Sequence, residues 1–137
     1  MKTILEILKL AAPLQPGFHL RIENAPWMML VIEDIQERGP DGFPVISVAH
    51  YGELNGDLMR DPEMLFEMSR SGEEAILVPM YYRNDYAGVE QYSAWNEDRR
   101  FRINARLQRD QAEFALMWDD NLRHQGFVEA FRRQRMT

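Results

Sequence analysis

Apolar positions follow two rhythms along this chain, one near 3.6 residues at its ends and one of two residues through its middle. Ile4, Leu5, Leu8 and Ala11 recur at helical spacing until Pro13 stops them, which predicts a short amphipathic helix over 4–12. Thr3 and Glu6 have the spacing of a capping box at its start. Pro16-Gly17 then marks a turn, and Phe18, Leu20 and Ile22 alternate with His19, Arg21 and Glu23 as in a half-buried strand. Residues 27–35 are apolar on both parities until Glu33, predicting a strand covered on both faces, and 45–51 returns after the turn-rich 36–42 as its antiparallel neighbour.

Asn55-Gly56 and Asp61-Pro62 predict two successive turns. In the strand expected at 63–69, Met64, Phe66 and Met68 point one way, and Glu63, Leu65 and Glu67 form an acidic outer face. Residues 75–82 make a fifth strand in which Pro79 requires an edge or a bulge, and 88–93 a weaker sixth. From Phe101 the helical rhythm resumes: Ile103, Leu107, Phe114, Trp118 and Leu122 predict a helix over 101–123. Gly126 separates it from a final segment, 127–135, that docks through Phe127, Val128 and Phe131. The expected fold is α+β: an antiparallel, meander-like sheet of five or six strands with a short N-terminal and a long C-terminal helix on one face. The other face is left for solvent or a ligand.

A length of 137 residues is enough for one sizeable core, so 1–137 is expected to be a single domain. The absence of cysteine excludes disulfides, thiolate nucleophiles and sulfur-ligated zinc, and makes a reducing, cytoplasmic address the expectation. Glu6 and Lys9 interrupt the apolar core a secretion signal needs, and no apolar run approaches the roughly 20 residues that span a bilayer. Charge is unevenly spread: residues 1–97 hold 16 acidic and 7 basic side chains, residues 98–137 hold 6 and 9. An acidic body repels a phosphate backbone, so nucleic acid has access only through the basic end, above all Arg132, Arg133 and Arg135.

Candidate chemistry gathers in residues 50–68. His50, Glu53, Asp57, Asp61, Glu63 and Glu67 are the ligand types of a hard or borderline divalent ion, and Asn55 sits among them in the turn. One reading is a small metal-dependent hydrolase using His50, Glu53, Asp57 and Asp61. The competing reading is scaffolding, since carboxylates in turns cap amides or face water and a strand-end histidine is more often a hydrogen-bonded, half-buried side chain. A second cluster, Tyr81, Tyr82, Arg83 and Tyr86, with Tyr92 and Trp95 nearby, has the composition of a protein-binding hot spot.

The string His50-Tyr51-x-Glu53-x-Asn55-Gly56-Asp57-x-Met59-x-Asp61-Pro62-Glu63-Met64-x-Phe66-Glu67, followed by Arg83-Asn84-Asp85-Tyr86-x-Gly88-Val89, resembles the signature of an uncharacterised domain family carried by bacterial plasmids, integrative elements and phages. The resemblance spans residues 25–120. It implies an accessory protein of a mobile element, cytoplasmic in its host, and transfers no catalytic residue because the family has no assigned reaction. The resulting expectation is a non-enzymatic protein that binds a host or element-encoded partner, such as a defence or nucleic-acid-handling complex, without metal, cofactor or catalytic residue. The hydrolase and a nucleic-acid binder acting through the basic C-terminus are the alternatives, and a free edge strand leaves a dimer open.

Overall fold

The computed structural model describes residues 1–136. The chain runs α1 (Lys2–Ala11), β1 (His19–Asn24), β2 (Trp27–Arg38), β3 (Pro44–Leu54), β4 (Asp57–Ser71), β5 (Glu74–Asn84), β6 (Val89–Tyr92), β7 (Ala94–Glu97), β8 (Arg100–Ile103), α2 (Ala105–His124) and α3 (Phe127–Arg135). β1 to β6 form one sheet in chain order, every neighbour antiparallel, so the α+β meander expected from the rhythm of the chain is the observed architecture. β7 and β8 form a separate two-stranded hairpin.

All three helices cover one sheet face. Ile22, Leu30, Ile32, Ile46, Val48, Met64 and Phe66 are buried there against Ile4, Ile7 and Leu8 of α1, Ala115, Trp118 and Leu122 of α2, and Phe127, Val128 and Phe131 of α3. The opposite face carries a smaller cluster, Val45, Met80, Tyr81 and Ala94, with Ile35, Leu65 and Phe101 packed around it. Among the described residues no helix contributes to that second cluster. Among the described residues no helix is long and apolar enough to cross a membrane.

Four local expectations are corrected. The capping box does not form: the Thr3 amide and hydroxyl both donate to the Asp119 carboxylate (3.0 and 3.2 Å), while Glu6 pairs with Arg123 and Arg132. A tertiary acceptor therefore replaces the local one at the start of α1. Asp61-Pro62 is not a turn. β4 runs straight through it, and the pair forms a bulge, two residues where β3 spends only His50. The reversal is made by Asn55 and Gly56 alone, both with positive φ, as a two-residue hairpin turn demands.

Third, the outer face of β4 is not a solvated acidic strip: Glu67 is only 2% exposed. It folds the β2–β3 turn over the sheet, its carboxylate accepting the Asp41 and Phe43 amides at 2.9 and 3.0 Å. Fourth, the long helix starts at Ala105, capped by the Asn104 side chain, and Phe101 to Ile103 belong to β8. Pro79 does mark a bulge, since Leu65 opposes Tyr81 while Phe66 opposes Pro79, leaving Met80 unpaired with β4.

Candidate functional site

The carboxylates that the chain brings together between residues 50 and 67 are dispersed by the sheet to four places. Because side chains alternate along a strand, His50 and Glu63 lie on opposite faces. His50 is buried on the helical side, its ring centroid 5.6 Å from that of Trp118 and 5.4 Å from that of Phe127. Its Nδ1 lies 3.4 Å from the Met29 carbonyl oxygen, which can only accept, so Nδ1 carries the proton. Burial among these rings lowers its pKa, outweighing the favourable backbone and Asp61 interactions of the charged form.

Glu63 belongs to a network on the face opposite the helices. Its Oε2 accepts from the Ser47 hydroxyl at 2.7 Å, and its Oε1 lies 3.2 Å from Arg60 Nε, close enough for an ion pair but not aligned as a hydrogen bond. The Arg60 guanidinium also stands 5.8 Å from the ring centre of Tyr51. Asp85 completes the network. It accepts the Arg60 amide at 2.8 Å and the Arg83 guanidinium at 2.6 Å, and its own amide donates to the Arg60 carbonyl. These bonds, the Arg60 amide first, hold the Asp85 carboxyl below its usual range, and the hydrogen bond to the Asp85 carboxylate raises the Arg83 pKa. Burial of the Tyr81 ring pushes its phenol up to about 12.

This clasp fastens the turn after β5 onto β4 and so positions Tyr86, the next residue. A Cβ added to Gly52 would sit 2.6 Å from the Tyr86 hydroxyl and 3.1 Å from Met28 Sδ, so only glycine admits the tyrosine at this distance. Around that contact, at the end of the sheet shared by the β3–β4 hairpin and the start of β2, several large apolar side chains face solvent. Leu58 is 64% exposed, Leu54 47%, Trp27 46% and Tyr86 46%, with Met28 beside them. Glu53, Asn55 and Asp57 are exposed at the same tip. Asp61, inside the bulge, accepts the Asn84 amide at 2.7 Å.

The two predicted clusters are thus redistributed. Glu53, Asn55, Asp57 and Tyr86 share the tip, with Asp61 and Arg83 in the structure beneath it. Tyr82 turns to the helices, 5.1 Å from Phe114, and Tyr81 to the other face, 4.5 Å from Tyr92. His50 and Glu67 are interior groups of the scaffold. Among the described residues no three of the His, Asp and Glu side chains group so as to hold a metal ion. A concavity of about 640 Å³ opens elsewhere, between α1 and the β4–β5 hairpin, with Lys2, Lys9 and Arg70 facing Glu6, Glu73 and Glu74.

Hydrophobic rhythm and turn chemistry give no sign of the role of Trp27 and Met28, which fall in a run that reads as a strand covered on both faces, of Leu54 and Leu58, which flank the Asn55-Gly56 turn, or of Asp85, which reads as part of a turn. The available signal for Asp85 was an acidic residue two after Arg83 at the end of a strand. Residues 2–128 match the family model described as a domain of unknown function, DUF6908. No curated protein and no solved structure matches the chain.

Proposed function

The chain belongs to the DUF6908 family, a domain of unknown function, and we propose that it is a non-enzymatic accessory protein of a mobile element that acts by binding another protein. The observation that carries this reading is the sheet tip, where apolar side chains are exposed on both faces: Met28, Leu54 and Tyr86 on the side of Gly52, and Trp27 and Leu58 on the other. Large apolar side chains gathered in solvent at one site mark interaction surfaces, and aromatic side chains and methionine are enriched at interfaces. Glu53 and Asp57 give the patch an acidic rim, so the partner suited to it presents a basic groove, as nucleic-acid-handling and defence complexes do.

The clasp of Arg60, Arg83 and Asp85 supports the reading because it holds Tyr86 in place before any partner arrives. That lowers the ordering cost of binding. Capture from host lysate with quantitative mass spectrometry tests the reading, comparing the unchanged chain with Leu58→Asp and Tyr86→Ala. A central anchor contributes about 2 kcal/mol or more, so a true partner is depleted roughly thirtyfold by either change. Proteins captured equally by all three chains would reject the tip as the binding surface.

A further inference from the structure

β1 is an outer strand of the sheet, and its free edge is occupied by a side chain of α3. The Phe18 carbonyl accepts the Asp34 amide from β2, so even-numbered residues turn their backbone groups inward and Arg21 and Glu23 turn theirs outward. Gln134 meets both outward groups. Its Nε2 donates to the Arg21 carbonyl at 2.7 Å and its Oε1 accepts the Glu23 amide at 3.4 Å. One side-chain amide thus stands where a residue of an added strand would stand.

We propose that this edge is a self-association surface that Gln134 keeps closed, and that two copies pair through antiparallel β1 strands centred on Ile22 when the last turn of α3 releases it. The occupant follows from charge. In an antiparallel pair centred on Ile22, Arg21 of each copy lies opposite Glu23 of the other, and these are the residues whose backbone groups face outward. Within one chain the same two side chains already pair at 3.2 Å, both well exposed, so pairing exchanges ion partners and adds main-chain bonds. The side chains of residues 132–136 are exposed, and release of the last turn gives up the Arg135 bond to the Leu10 carbonyl together with the two Gln134 bonds.

Sedimentation velocity over a concentration series tests this. Gln134→Ala removes both bonds and should tighten self-association roughly tenfold to a hundredfold over the unchanged chain. Gln134→Met, similar in shape but without the amide, should do the same. Adding Arg21→Glu to Gln134→Ala should reverse the gain by setting like charges opposite each other, and adding Glu23→Arg as well should restore it. Gln134 variants that associate no more tightly than the unchanged chain would overturn the proposal, as would association indifferent to Arg21→Glu.

Discussion

Two titratable residues of the same acidic stretch, Glu67 and His50, are both buried and serve the fold in different ways. Glu67 satisfies two amides of the β2–β3 turn from a site closed to water. Glu67→Ala strands both donors and should lower stability by about 3 kcal/mol in urea unfolding, with Glu67→Gln, which keeps one acceptor, losing less. His50 makes stability depend on pH. Burial lowers its folded pKa below the ordinary 6.5, so the unfolded chain binds the proton more tightly. Stability should therefore fall as pH drops through 6.5 and level off below the folded value, and His50→Phe should flatten that part of a denaturation profile taken across pH. Gly52→Ala meets only the far end of the flexible Tyr86 side chain and a methionine. Its cost in stability should be below about 1 kcal/mol while partner capture falls, separating a binding role for the tip from a merely structural one.

At the scale of elements, the strands and helices were legible wherever a single rhythm ran long enough. β1, β2 and β3 begin within a residue or so of their predicted starts, and α3 spans the predicted segment. The departures have physical causes. β4 is one continuous strand because Asp61-Pro62, read as a turn, is accommodated as a bulge against His50. The β7–β8 hairpin escaped notice because its turn is made by Asp98 and Arg99, both with positive φ and neither a glycine. The start of α1 depends on Asp119, more than a hundred residues away. Asp119→Ala should then destabilise by about 1–2 kcal/mol, as loss of a helix cap does, read as a shift in the urea midpoint with the slope unchanged.

Over the whole molecule, the uneven charge of the sequence is partly consumed within the fold. Arg123 and Arg132 converge on Glu6, and Arg135 donates to the Leu10 carbonyl at 2.9 Å, so three C-terminal arginines tie α2 and α3 to α1. The acidic tip residues Glu53 and Asp57 stay exposed to solvent, so the salt response belongs to the partner interface. Partner affinity should fall as ionic strength rises from about 0.01 M to about 1 M, where the screening length shrinks from about 30 Å to about 3 Å. Affinity unchanged over that range in a binding titration would place recognition on the apolar side chains alone.

The sequence by itself determined the α+β class, the meander order and the Asn55-Gly56 reversal, because hydrophobic period and turn chemistry are local properties carried by neighbouring residues. Tertiary structure alone decided which residues act together. Strand alternation sent His50 and Glu63 to opposite faces, the bulge at Asp61-Pro62 set the register beyond it, and Asp85 joined Arg60 across two strands. Those relations depend on pairing between segments far apart in the chain, and no local pattern encodes them.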